Sequence, residues 1–286
     1  MSKIKIMVDT AADMSCELLK ENGIGIINFN VTFGDESYVA GVELTNSEFY
    51  KKIVDTGVMP KTSQTAYADM YDAIMAELEE NDTVIYFTIS GKASGQNHSA
   101  TLVAKEIMEE NPGKTVKIVD SGSFSVYIAN IAICAAALAE KGEAVEDIIS
   151  KSLETVKDWG VYLLVDDLDY LQRGGRITKT TAIVGSLLEI KPVLGINEGL
   201  IEPCGKLRGK KKVLSKLVEM VEETDDFDSE NPAFILVHSN EEQVMELKEK
   251  VSDSFGEDSV KRVVEFGPII GTHTGPGAIA ILYKKK

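Results

Sequence analysis

The sequence predicts an α/β protein of two domains, and three observations carry that expectation. Apolar runs of strand length alternate with helical patterns through the first half of the 286 residues; such alternation argues for a mainly parallel sheet covered by helices on both faces. The second half contains Asn197-Glu198-Gly199 between two apolar runs, a hairpin signal that requires antiparallel pairing. A chain of this length exceeds what one hydrophobic core commonly serves. The domains are expected at 1–157, α/β, and 158–286, α+β with a mixed or antiparallel sheet.

Taken in order, the first domain opens with a strand at 4–8 and a helix at 15–21. Helices follow at 48–56 and 67–80, then strand 83–88, helix 95–110, strand 115–119, helix 124–140 ending near Gly142, and helix 145–157. The strands read as short apolar runs bounded by turn residues, and the helices as longer patterned segments between them. The second domain is expected to contain strand 161–165, a Gly-rich turn at Arg173-Gly174-Gly175-Arg176, and the strand pair 193–196 and 200–205. Helix 213–223, strand 233–237, helix 241–252 and strand 260–264 follow; a loop with Gly267, Gly271, Gly275 and Gly277 then leads to strand 278–283.

Composition excludes several functions. A net charge of −16 repels phosphate backbones and disfavours nucleic acid as a partner. Three histidines without an H-e-x-x-H pattern leave no dedicated metal site, and no metal or cofactor is expected. Three scattered cysteines, Cys16, Cys134 and Cys204, read as small buried hydrophobes in a reducing compartment. With no apolar signal core at the start and no apolar run near 20 residues, the expected location is the cytoplasm. Charge is uneven, however. Residues 171–216 hold ten Lys or Arg against three Glu, with Arg173, Arg176, Lys206, Arg208, Lys210, Lys211 and Lys212 the candidates for docking a partner or an anionic membrane. A solvated face that offsets an acidic body is the alternative.

Three segments carry more hydroxyl, Gly and His residues than packing requires: 60–65, 90–96 and 271–277. Each is expected in a loop at an element end. The second follows a strand and opens a helix, where unpaired N–H groups and the positive end of the helix dipole suit a carboxylate or phosphate oxygen. Ser94 with the Gly95 amide is the candidate pair, although Ser94 would equally cap its own helix. Thr62 is a second candidate, or only a turn residue. His273 is a third, or a loop imidazole bonded to backbone.

These segments together resemble the DegV family, which includes the fatty-acid-binding subunits of bacterial fatty acid kinase. The likeness covers the whole chain. It lies at Val8-Asp9-Thr10 to Ala12-Asp13, Pro60 to Gln64, Ser90 to Ser99, Asp120-Ser121, Asp167-Leu168 through Ile177, Lys191-Pro192, Gly199, Lys206 to Lys211 and Gly267-Pro268 to Gly277. The resemblance implies a two-domain α/β protein that buries a long-chain fatty acid such as palmitate. The carboxylate would lie at the domain interface on the Thr62 and Ser94 hydroxyls, the Gly95 backbone and His273, and would be presented to a kinase or acyltransferase partner. The sequence departs from the family pattern at Thr10, at Gln96-Asn97-His98 and at Val126-Tyr127, where glycines are frequent; a bulkier helix start would shorten or bend the acyl chamber.

Those residue types suit the ligand. An unpartnered buried carboxylate would protonate, so its site needs several donors. The tail contributes roughly 0.8 kcal/mol per buried methylene and dominates affinity. Residues 126–139 are apolar nearly all round, as in a buried helix. Ala129 and Ile133 there, and Ile183 and Leu187 in a second apolar stretch, are candidate tail lining, with plain core packing the alternative. Two other functions compete. A Ser94–His273 lipid hydrolase with Asp9 or Asp120 would complete a triad, but no G-x-S-x-G elbow is present. A nucleotide binder would use a P-loop or G-x-G-x-x-G, and both are missing.

Overall fold

A computed structural model describes residues 3–177, 190–209 and 212–286. Two compact units emerge: Met1–Thr45, Pro60–Val156 and Glu198–Leu200 form the first, and Asn46–Met59, Lys157–Asn197 and Ile201–Lys286 the second. Residues 46–59, expected in the first half, therefore belong to the second unit, and 198–200 to the first.

Along the chain the elements are β1 (Ile4–Asp9), α1 (Cys16–Glu21), β2 (Gly25–Ile27), β3 (Asn30–Phe33), β4 (Glu36–Val39), α2 (Asn46–Thr56), β5 (Lys61–Ser63), α3 (Tyr67–Leu78), β6 (Thr83–Thr88), α4 (Gln96–Glu110), β7 (Thr115–Asp120), α5 (Val126–Glu140) and α6 (Val145–Glu154). There follow β8 (Trp159–Leu164), α7 (Asp169–Arg173), β9 (Ile190–Asn197), β10 (Leu200–Arg208), α8 (Val213–Glu222), β11 (Phe234–His238), α9 (Glu241–Phe255), β12 (Val260–Glu265), α10 (Pro268–Thr274) and β13 (Ile279–Lys284).

The first unit is built on a parallel sheet in the order β2-β1-β6-β7. Its central strand β6 is buried at all six residues, as a strand covered on both faces must be. Met7, Val84, Tyr86 and Val116 pack with Met70, Ile74 and Leu78 of α3 and Val103 and Ile107 of α4. The apolar helix α5 lies against β1 and β6. A second sheet, antiparallel in the order β4-β3-β5, was not expected from the sequence. Residues 198–200 join this unit because the Ser90 hydroxyl donates to the Gly199 carbonyl at 2.7 Å and Lys92 pairs with Glu198 at 3.3 Å.

The second unit holds a six-stranded sheet in the order β10-β9-β8-β13-β11-β12. It is mixed: β11 and β12 are parallel, whereas β13 runs antiparallel to both β11 and β8. One face is covered by α8 and α9 through Leu214, Leu217, Val218, Val221, Val244, Leu247 and Val251. The α/β fold with its parallel and mixed sheets is the one expected from the sequence. No helix among the described residues is long and apolar enough to cross a membrane. The cysteines differ from expectation: Cys16 and Cys204 are exposed and Cys134 is half-buried.

Candidate functional site

Within the first unit the fold brings two of the three sequence-selected segments together. Thr62 is not in a loop; it sits in β5, paired with Val31 of β3. Three residues later, the Thr65 amide donates to the Gln96 side-chain oxygen at 3.2 Å, which ties the segment after β5 to the first turn of α4. Ser94 is half-buried and Gly95 exposed at that helix start. The Ser94 hydroxyl accepts the Gln96 amide at 3.2 Å, a local turn contact; the helix N-cap is Gly95 and carries no side-chain cap bond, so Ser94 is not the cap that one reading of the sequence allowed. An oxygen accepting one N–H retains its own proton for a further acceptor. Gly95 lies under Gln64: a Cβ at position 95 would stand 2.9 Å from the Gln64 side-chain oxygen. Gln64 was not among the residues assigned to the head group, although it lies in the selected segment 60–65 and in the Pro60 to Gln64 stretch that carries the family likeness.

Behind these loops lies a buried polar network. Asp9 ends β1 and accepts the Ala11 amide at 3.1 Å and the Ile89 amide at 2.9 Å. The Tyr86 hydroxyl points to Asp9 at 3.4 Å and accepts from the Gln96 side-chain amide at 2.9 Å. The same Gln96 nitrogen reaches the Thr65 hydroxyl at 2.9 Å. Burial pushes the Asp9 carboxyl up to about 7 against the pull of these donors. Asp120 at the end of β7 is likewise engaged with backbone, accepting Gly91 N–H at 3.0 Å and Gly122 N–H at 2.8 Å.

His273 belongs to the second unit. It occupies the last turn of α10, a short helix that begins with Pro268 at its first turn, where a missing N–H costs nothing. The sequence had suggested a loop there. The ring lies against Gly174, where a Cβ would stand only 2.2 Å from Nδ1. Arg176, which the sequence assigned to a docking face, is half-buried and donates to the Gly174 carbonyl. Burial, and secondarily the Arg176 charge, hold the imidazole down to about 3, so His273 is neutral at physiological pH. The arrangement offers a neutral imidazole with a fixed cation beside it, a pairing suited to an anionic oxygen.

Of the tail-lining candidates, Ala129 is buried and Ile133 half-buried on α5; Ile183 and Leu187 lie outside the described residues, as do Lys210 and Lys211. Arg173 is exposed and pairs with Asp169 at 3.5 Å. Lys206 and Arg208 are exposed on β10, and Lys212 is exposed just before α8. Among the described residues no group of three His, Cys, Asp or Glu could hold a metal ion.

A family model described as "Uncharacterised protein, DegV family" matches residues 3–286. A fatty acid-binding protein of Thermotoga maritima is 34% identical over 286 residues, covering 97% of this chain and 96% of its own. Among solved structures, DegV, a fatty acid binding protein from Bacillus subtilis, is 29% identical with a TM-score of 0.86 over 100% of both chains. A stearic acid-binding protein from Eubacterium ventriosum is 27% identical with a TM-score of 0.86, covering 100% of this chain and 99% of its own.

Proposed function

The chain belongs to the DegV family, and from that premise we propose that it is a cytoplasmic carrier that buries a long-chain fatty acid, such as palmitate, and presents the carboxylate to a partner kinase. The observation that carries this reading is the likeness, over the whole chain, to solved relatives described as binding fatty acids. The carboxylate is held by the Thr62 and Ser94 hydroxyls, the Gly95 amide and His273. Ala129, Ile133, Ile183 and Leu187 are the residues assigned to the acyl tail. The basic residues Arg173, Lys206, Arg208, Lys210, Lys211 and Lys212 form the surface that meets a kinase, an acyltransferase or an anionic membrane.

Chemistry favours a carrier over a hydrolase. A general base works best with a pKa near the working pH, and an imidazole held down to about 3 donates a hydrogen bond well but accepts a proton poorly. Asp9 accepts backbone amides at both oxygens and Asp120 accepts two at its Oδ1, all within the first unit, which supports structural rather than relay roles.

Native mass spectrometry of the purified protein tests the function. A retained mass equal to a long-chain fatty acid is the expected result. Lipid-free protein that turns over acyl esters, with the activity abolished in Ser94→Ala, would replace the carrier with an enzyme.

A further inference from the structure

Four polar side chains of the first unit, Asp9, Tyr86, Gln96 and Thr65, are no more than 5% exposed and stand outside the set assigned to the head group. They form one continuous hydrogen-bonded chain. We infer that Asp9 is a positioning residue for the head-group site: its carboxylate fixes, through Tyr86 and Gln96, the loop that carries Ser94 and Gly95 and the segment that carries Thr62. The inference rests on the fatty-acid reading above.

The polarity of the chain follows from Asp9. An ionised carboxylate only accepts, and it receives the Ala11 and Ile89 amides and the Tyr86 hydroxyl. With its proton committed to Asp9, Tyr86 has a lone pair left for the Gln96 side-chain nitrogen. That orientation turns the Gln96 oxygen toward the Thr65 amide, and the Thr65 hydroxyl then donates to the Asn28 carbonyl at 2.7 Å. Ile89 begins the stretch that ends at Ser94, and the Gln96 backbone amide meets the Ser94 hydroxyl. Both ends of that loop are thus tied to one carboxylate. Thr65 follows Thr62 by three residues, and its amide and hydroxyl are held by the same Gln96 side chain.

A protonated carboxyl, or an Asn in its place, keeps one accepting oxygen and carries hydrogen at the other position; with hydrogen at Oδ2, where the Ile89 amide and the Tyr86 hydroxyl both point, Tyr86 loses its acceptor. The chain must then invert at Gln96, which sets the Gln96 amide hydrogens against the Thr65 N–H, or break. A buried carboxylate is costly to keep for packing alone. Of the groups that hydrogen-bond to Asp9, Tyr86 on β6 is the titratable one; burial and the Asp9 charge hold it well above its ordinary value, so it stays neutral.

The test is a titration of the full-length protein with a soluble fluorescent long-chain fatty acid between about pH 6 and pH 8.5, for the wild type, Asp9→Asn and Tyr86→Phe. At about pH 8 both variants are expected to bind about tenfold more weakly, the loss of one hydrogen bond to a charged group. The affinity ratio of wild type to Asp9→Asn, which cancels titration of the ligand, narrows as pH falls through about 7, where Asp9 takes its proton. Variants that bind as the wild type does at pH 8, or a ratio constant over the range, overturn the positioning role while leaving the fatty-acid reading intact. A wild type that does not bind the probe overturns the fatty-acid reading and the positioning role with it. Should Asp9→Asn not fold, Tyr86→Phe carries the test, because it keeps the carboxylate and both amides and removes only the link to Gln96: wild-type affinity in that variant refutes the inference.

Discussion

Replacing Gly174 by alanine is expected to weaken acyl binding at least tenfold without straining the backbone. Gly174 has φ −69° and ψ −13°, a right-handed conformation open to any residue, so the effect is confined to contacts. The new Cβ would stand 2.2 Å from His273 Nδ1 and 3.0 Å from both His273 Cε1 and the Tyr170 carbonyl. Ordinary van der Waals contact begins at 3.4 Å, so the ring must retreat by about 1.2 Å. Hydrogen bonds occupy a window of only about half an ångström; an imidazole displaced that far loses a carboxylate oxygen it held. The loss of a hydrogen bond to a charged group is about 1.5 to 3 kcal/mol, roughly ten- to 150-fold in affinity. Overpacking lowers stability by about 1 to 3 kcal/mol as well. The assay is displacement of a fluorescent fatty acid, with thermal melts on the same samples to establish folding and His273→Ala as the reference for complete loss. A Gly174→Ala protein that melts lower yet binds within about twofold of the wild type would refute a head-group role for His273.

Three further outcomes follow from the same account. Thr62→Ala and Ser94→Ala each weaken fatty acid binding by about 1 to 3 kcal/mol by calorimetry, and Ser94→Ala alone also lowers stability by about 1 kcal/mol through the lost turn contact; unchanged affinity in both removes them from the site. Stability should respond to pH in two opposed ways. His273, depressed from 6.5 to about 3, loses its contribution as pH falls from about 6.5 toward 3. Asp9, raised from 3.8 to about 7, gains stability as pH falls from about 7 toward 4. In denaturant titrations the advantage of wild type over His273→Gln therefore narrows on acidification, and an advantage that grows contradicts the assignment. Neutralising Lys210, Lys211 and Lys212 slows acyl exchange with anionic vesicles at low salt; unchanged rates exclude a membrane role for that cluster.

Most regular elements were legible because their apolar period was long enough to read. Helices α3, α4, α5 and α9 and strands β6 and β11 fall within a few residues of the expected bounds. The small antiparallel sheet was missed because its strands have three or four residues, too few to establish alternation. A signal did exist at Gly34, which turns between β3 and β4 at φ +60°, the left-handed region glycine enters freely. Helix α10 was hidden by its glycines, although Gly267-Pro268 is a helix-start signature. The assignment of α2 to the second unit had no sequence signal: Phe49 and Ile53 announce a buried face but not what covers it. For the site, hydroxyl, glycine and histidine chemistry singled out Thr62, Ser94, Gly95 and His273. Arg176 beside His273 and the link from Asp9 to Gln96 depend on contacts between residues far apart in sequence, which no local pattern encodes.

The central claim is that the ligand's carboxylate stays ionised because protein donors hold it, and carbon-13 NMR of palmitate labelled at the carboxyl carbon reads this directly. The account predicts a bound resonance that keeps its ionised shift well below the pH at which an unbound carboxyl titrates, and that recovers ordinary titration in Ser94→Ala or His273→Ala. A bound resonance that titrates like the free acid in the wild type would contradict it.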